Sequence, residues 1–563
     1  MNNSRLVKLS QHFCPRLIDA LRGYDRARFT TDIIAGITVG VIALPLAIAF
    51  AIASGAKPEA GIFTAIIAGF IISGLGGSRV QIGGPTGAFI VIVYGIIAQY
   101  GYANLLICTI MAGFILVAMG VTRIGSMIKF FPRPLILGFT SGIAVLIIFS
   151  QLKDLLGLKT GALPAEFFTK LAVLYHALPS FDAATILLAL CSALLIWFYP
   201  KTWAQKLPSP IVALTLGTLS VALFHLPVET IGTRFGGIPQ GLPDFAIPEF
   251  SLAALRHLIA PALTIALLGA IESLLSAAVA DGMIDDKHDP NQELIAQGIA
   301  NIVTPFFGGV PATGAIARTA ANVRSGATSP ISGMVHSLTL LLIILLAAPL
   351  AKNIPLATLS AILLIVAINM GEWESFRTLR KYPASDSAVL LVTFLLTVFF
   401  GLTVAVEVGM FIAIFFFIRR ITELTHVSLA DESPHIEDSE ATQARKGVPA
   451  GVMIYRVFGA LFFGAADKLE AILSKTHTEP DVLILKMHEV ISMDASALHT
   501  LEHLHGKLRD HNKHLILCGP HTQPYFLMHQ AGFFAKIGAE NVTANLDDAL
   551  ARAKQLLGSM RKD

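Results

Sequence analysis

The sequence predicts an α-helical polytopic membrane protein of fourteen transmembrane segments, followed by a small α/β domain. Three observations carry this prediction. Of 563 residues, 54% are apolar and only 14% charged, where a soluble globular chain carries roughly 25% charged residues. The charge is uneven: residues 428–563 hold 17 acidic and 14 basic side chains, a density about twice that of the chain before them. The first part is also a succession of apolar runs near the length of about 20 residues that a bilayer crossing needs.

This composition excludes an ordinary soluble enzyme, a disordered chain and a collagen-like fibre. The balance of 41 basic against 38 acidic residues leaves a net charge of +3, so there is no bulk electrostatic case for nucleic acid. Cys14, Cys108, Cys191 and Cys518 are scattered, without the spacing of a metal site or a disulfide framework. No HExxH pattern is present, and no metal or cofactor site is expected.

In chain order, residues 1–30 carry Arg5, Lys8, Arg16, Arg22, Arg26 and Arg28 against Asp19 and Asp25. A basic flank before a first span stays cytoplasmic, so this segment reads as a cytoplasmic N-terminus and not a cleaved signal. The spans are placed at 33–54, 61–75, 85–98, 104–120, 135–152, 184–198, 211–226, 258–280, 294–307, 313–323, 331–350, 356–370, 388–402 and 404–418. An even number returns the C-terminus to the cytoplasm. Arg377, Arg380, Lys381, Arg419 and Arg420 fit that orientation. The expected location is the inner cell membrane, with residues 31–425 as the membrane domain, 426–447 as a linker and 448–563 as the soluble domain.

Two segments stand apart. Gly83-Gly84-Pro85-Thr86-Gly87-Ala88 and Gly308-Gly309-Val310-Pro311-Ala312-Thr313-Gly314-Ala315 both place Gly-Gly, Pro and Thr-Gly-Ala before a short apolar helix. Their offsets match: Gly83 follows the start of a long span at Ile33 by the same interval as Gly308 follows one at Leu258. This is an internal repeat of the secondary-transporter kind. Seven spans per half, an odd number, invert one half relative to the other. Non-helical backbone survives at membrane depth only where it lines a cavity or is buried in protein. A half-helix beginning there presents free N–H groups and the positive end of its dipole. Two such ends facing each other make an anion site.

Ionisable residues within spans are costly and usually functional. Glu272 lies mid-span, and Arg318 lies five residues into the second broken helix. Arg318 supplies a fixed positive charge for an anion. Glu272 either neutralises Arg318 or carries a proton; a fixed Glu–Arg bridge locking two helices is the packing alternative. Glu407 reads as an end or interface residue, and Asp281 and Arg324 as capping or topological ones. Tyr94, Phe50 and Phe89 are candidates for lining a cavity.

Beyond the polar linker, residues 452–458, 481–486 and 514–518 read as strands, and 465–477, 495–512, 523–531 and 546–557 as helices. Strands alternating with helices indicate a small α/β layer structure. Asp494, at a strand-to-helix turn, reads as a helix N-cap. His499, His503 and His505 read as a solvated face.

With these motifs in place, the chain resembles the SulP (sulfate permease) anion transporters. The likeness runs through Ala43-Leu-Pro-Leu-Ala-Ile-Ala-Phe50, Gly84-Pro-Thr-Gly87 and Gly269-Ala-Ile-Glu-Ser-Leu-Leu275. It continues through Asn291-Gln-Glu-Leu-Ile-Ala-Gln-Gly-Ile-Ala-Asn301 and Thr313-Gly-Ala-Ile-Ala-Arg-Thr-Ala-Ala-Asn322. The resemblance implies two inverted seven-helix repeats forming core and gate domains, an elevator-like movement, a homodimer, and no enzymatic activity. It places a small inorganic or organic anion between the third and tenth half-helices, bordered by Phe50, Thr86, Gly87, Ala88, Ala315 and Ile316. A sodium-coupled bicarbonate subgroup has Asp, Thr and Gly where this chain has Glu272, Ser276 and Arg318, which favours protons, through Glu272, over sodium. The segments 269–283 and 317–330 look closest to bacterial dicarboxylate and sulfate members, with bicarbonate transport, exchange or a channel as alternatives. The C-terminal part resembles a STAS domain through Val490-Ile-Ser-Met-Asp494-Ala-Ser496-Ala-Leu498. Soluble STAS relatives carry a phosphorylated Ser at this turn; here only Ser496 keeps a hydroxyl. A regulatory partner of this domain is expected.

Overall fold

The structure, a computed structural model, describes residues 14–126, 132–161, 163–164, 166–204, 208–241, 244–248, 252–429, 448–462 and 480–560. The chain divides into two compact units, Met1–Phe411 and Ile412–Asp563.

Each of the fourteen apolar segments coincides with a helix. Asp25 caps the first, Arg26–Ala53, by accepting the Arg28 amide at 2.8 Å. Pro58 opens the second, Pro58–Leu75, where its missing N–H is not needed. Among the described residues, six helices are long and apolar enough to cross a membrane alone. Most of the others are shorter, two of them for a plain physical reason. Phe89–Tyr100 and Ile316–Arg324 hold 12 and 9 residues, about 18 and 14 Å at 1.5 Å per residue, against a core of about 30 Å. Both start where Gly and Pro interrupt the helix.

The packing carries the repeat. Counted in chain order, the second helix touches the eleventh and the fourth touches the ninth. The first touches the eleventh and the fourth touches the eighth; the fifth touches the thirteenth and the sixth touches the twelfth. Exchanging the two halves converts each of these pairs into its mate. The second–ninth and fifth–twelfth pairs map onto themselves. Helices one to four and eight to eleven gather in one bundle, while the fifth, sixth, seventh, twelfth and thirteenth contact one another beside it. Small residues set the closest approaches, as expected in lipid. A Cβ on Gly113 would lie 2.7 Å from the Gly298 carbonyl oxygen, and one on Gly298 would lie 2.6 Å from that of Gly113.

The second unit is a five-stranded sheet. Val452–Leu461, Val482–Met493, His514–Cys518 and Val542–Thr543 pair in parallel in that order, and His426–Leu429 adds an antiparallel edge to Val452–Leu461. Alternate residues face opposite layers, as the strand period demands. Tyr455, Leu483, Leu485, Leu515 and Leu517 pack with Leu498, Leu501 and Leu504 of helix Ala495–Asp510. Ile454, Val482, Ile484 and Ile516 pack with Ala549, Leu550 and Ala553 of helix Leu546–Met560 on the other face. The strand at His426–Leu429 falls where the sequence reading starts the linker, because its four residues are too few for alternation to register. The helix expected at 465–477 lies outside the described residues.

Arg456 Nε donates to Glu489 Oε2 at 2.7 Å, and this bond holds the Glu489 carboxyl below the usual range. His499 and His503 are exposed, while His505 packs edge-on against Phe533 and bonds the Lys536 carbonyl. Asp494 caps helix Ala495–Asp510, accepting the Ala497 amide at 2.8 Å. Asp494→Ala should therefore weaken the start of this helix by about 1 kcal/mol. Hydrogen exchange on the intact protein will show roughly fivefold faster exchange at its first turn and no change in the membrane unit.

Candidate functional site

The two Gly/Pro motifs meet in a two-residue antiparallel ladder, Gly83 opposite Gly314 and Gly84 opposite Thr313. The chain leaves this ladder in opposite directions, and both short helices begin within a few residues of it. Neither has a side-chain cap at the residue that precedes it, Ala88 in one and Ala315 in the other. Their leading N–H groups thus converge from the two halves of the chain.

The eighth helix, Leu252–Ile284, holds both motifs. Gly269, Glu272, Ser273 and Ser276 share one face by their spacing of three and four. The Gly269 carbonyl accepts from Thr313 Oγ1 at 2.8 Å, and Ser273 Oγ accepts from Gln81 Nε2 at 2.9 Å. Ser276 Oγ donates to Thr319 Oγ1 at 3.1 Å, and Thr319 Oγ1 in turn accepts the Ile82 amide at 3.0 Å. The Ala315 amide donates back to the Ile82 carbonyl at 2.8 Å.

Arg318 reaches across this frame. It is 2% exposed, Nη2 donates to the Pro85 carbonyl, and Nη1 has no partner. Gly84, at φ +150°, has to be glycine: a Cβ there would lie 2.7 Å from Arg318 Nη1. Glu272 stands beside the first motif and accepts from Thr86 Oγ1 at 2.8 Å. No ion pair joins Glu272 to Arg318 among the described residues, so the fixed Glu–Arg bridge of the packing alternative is not formed. The local electrostatics are two positive helix ends, one guanidinium with a free N–H, and one carboxyl held away from it.

Of the other residues singled out by sequence, Thr86, Ala88 and Phe50 are each 5% exposed and Ala315 6%, whereas Ile316 is 39% exposed. Phe50 closes on Gly87, where a Cβ would lie 3.6 Å from its Cε1. Met370 Sδ and Ile147 Cδ1 meet the same point at 3.5 and 3.8 Å. Sequence reasoning missed both, because an apolar residue in an apolar helix gives no signal. It also missed His336, fully buried with both ring nitrogens lacking a partner. Tyr94 lines a cavity of about 340 Å³ further along the first half-helix. No group of three or more His, Cys, Asp or Glu gathers among the described residues.

Comparisons with known proteins agree with this architecture. The profile of the sulfate permease family matches residues 29–393, and that of the STAS domain matches residues 443–549. YvdB of Bacillus subtilis (strain 168), which carries a sulfate-transporter name, is 43% identical over 535 residues, covering 95% of this chain and 99% of its own. The bicarbonate transporter BicA of Picosynechococcus sp. is 31% identical over 540 residues, covering 93% of this chain and 94% of its own. The solved transmembrane domain of a cyanobacterial BicA covers 69% of this chain and 98% of its own at 32% identity, with a TM-score of 0.62. The structure of SLC26A9 covers 100% of this chain and 96% of its own with a TM-score of 0.85, and at 18% identity this speaks to the fold alone. With the inverted halves, the ladder between them and relatives along its whole length, this chain belongs to the sulfate permease family of multi-pass membrane anion transporters, which are not enzymes, and it carries a C-terminal STAS domain.

Proposed function

We propose that this anion transporter is a proton-coupled symporter of a divalent oxyanion, sulfate or a C4-dicarboxylate such as succinate or fumarate. The anion sits between the starts of half-helices Phe89–Tyr100 and Ile316–Arg324, bordered by Phe50, Thr86, Gly87, Ala88, Ala315 and Ile316. Arg318 binds it and Glu272 carries the proton. The observation that carries this reading is the free Nη1 of buried Arg318 beside Gly84. A guanidinium N–H kept dry without an acceptor is costly unless a ligand fills its place. Sodium coupling is disfavoured, because a cation near Arg318 is repelled.

The two bundles support an elevator-like cycle. Helices one to four and eight to eleven, held together by the ladder, move as a core against the other helices, and the ligand between the half-helices travels with them. The protein works as a homodimer with cytoplasmic termini, and residues 448–563 act as a regulatory domain toward a protein partner.

Bicarbonate transport or anion exchange is the second reading, favoured by the likeness to relatives named as bicarbonate transporters. One experiment separates the two. Labelled sulfate, bicarbonate, succinate, fumarate and uracil are offered to one batch of proteoliposomes, with and without an inward proton gradient. Sulfate or a dicarboxylate should accumulate with the gradient, and a protonophore should abolish this. Accumulation of bicarbonate alone, or of uracil, overturns the assignment, and net accumulation that is unchanged by the proton gradient and by the protonophore overturns the coupling.

A further inference from the structure

A second group of cations lies outside the half-helix site. The cavity of about 340 Å³ is lined by Ala53, Tyr94, Lys153, Asp154, Lys170 and Arg234, among others. It has room for about ten waters at ~30 Å³ each. Ala53 and Tyr94 follow Phe50 and Phe89 by three and five residues on their helices, about 5 and 8 Å at 1.5 Å per residue. The cavity therefore begins roughly one turn from the half-helix site. It lies at the end of helix Arg26–Ala53 distal to Arg26.

The charges around it are not equivalent. Arg234 pairs with Asp154 at 2.7 Å and with Glu229. Lys153 Nζ donates to the Thr160 and Gly161 carbonyls, both at 2.9 Å. Lys170 is 7% exposed, and its ammonium, 5.2 Å from the centre of the Tyr94 ring, has no hydrogen bond or ion pair among the described residues. An aromatic face replaces only part of the hydration that a buried ammonium gives up. Against these three cations stand two carboxylates, Asp154 and Glu229, and both are taken up by Arg234; Lys170 is left over, and the partner that fits an ammonium is an anion.

We propose that this cavity is a second anion-binding site, a vestibule in which Lys170, with Lys153 and Arg234 beside it, holds a small oxyanion of the sulfate or carboxylate class next to the half-helix site. The proposal rests on the transport reading for the identity of its ligand. A vestibule of this kind concentrates the anion at the mouth of its pathway.

Equilibrium dialysis of labelled sulfate against purified full-length protein, with a parallel series in succinate, tests it. The wild type should bind two equivalents per protomer, Lys170→Met one, Arg318→Ala one and the double variant none, while Lys170→Arg keeps two. One equivalent that survives Lys170→Met but is lost in Arg318→Ala overturns the vestibule and leaves the half-helix site standing. One equivalent with the reverse dependence overturns the half-helix reading and supports the vestibule. No binding of either anion overturns both. Acetylation of wild-type protein by a water-soluble amine reagent, read by peptide mass, gives an answer that does not depend on a variant folding. Sulfate should protect Lys170 at least fivefold, and equal labelling with and without sulfate sinks the proposal.

Discussion

Arg318→Ala should lower anion affinity at the half-helix site by about 100-fold or more, in a protein that still inserts and elutes as a monodisperse species. Truncating one partner of a buried charge pair costs about 2–5 kcal/mol, and each 1.4 kcal/mol is about tenfold. The side chain reaches the Pro85 carbonyl 233 residues away in the chain and ties the two motifs together, so some stability is lost as well. The free Nη1 is what distinguishes a binding role from that bridge. Arg318→Lys keeps the charge and loses the planar fork, and should recover only part of the affinity. Calorimetric titration with sulfate and succinate measures both. An Arg318→Ala protein that binds these anions as the wild type does makes Arg318 a strut between the motifs and nothing more.

Glu272→Gln should abolish accumulation on a proton gradient while leaving anion binding within about threefold. The substitution is well controlled by geometry. The Gln carbonyl oxygen can still accept from Thr86 Oγ1, the bond that Glu272 makes at 2.8 Å, so the charge changes and the contact does not. In the proposed cycle, a bound anion occupies Arg318 and leaves the Glu272 carboxylate facing added negative charge, which a proton relieves. Anion and proton then favour each other's binding by equal factors, as linkage requires. Glu272→Asp keeps the titratable group but is one methylene shorter, and should reduce coupled uptake several-fold without abolishing it. Counterflow and pH-jump uptake in the same vesicles separate binding from coupling. A Gln variant that still concentrates substrate on a proton gradient places the proton carrier elsewhere, with fully buried His336 the first group to examine.

Much of this was readable from the chain because lipid enforces long apolar runs, and all fourteen runs became helices. The repeat was readable because Gly-Gly, Pro and Thr-Gly-Ala occur twice at matched offsets. Those residues were bound to mark irregular backbone at membrane depth. What the chain could not reveal were contacts whose chemistry is ordinary. Met370 and Ile147 meet Gly87 as two apolar side chains among many. The acceptor for Arg318 is a backbone carbonyl, at Pro85, which every residue possesses. Nothing in the sequence singles out Lys170, which the fold sets over the Tyr94 ring. In the C-terminal unit, the strand read as ending near residue 486 runs on to Met493, because its pairing with Val452–Leu461 resumes after shifts in register.

The ladder between Gly83–Gly84 and Thr313–Gly314 also sets a clock on biosynthesis. Its strands come from opposite halves of the chain. At about 5–20 residues per second, roughly 10–50 s separate their synthesis on the ribosome. Throughout that interval the backbone groups of Gly83 and Gly84 lack the Thr313–Gly314 strand that later pairs with them. Lipid cannot satisfy them. The nascent first repeat must wait at a wet or protein-lined place until the second repeat arrives, and the two halves of the site are completed in one late step. A chain stopped before residue 313 would hold nine of the fourteen apolar segments and no site at all. Quality control that senses unsatisfied backbone in the bilayer would find its target there.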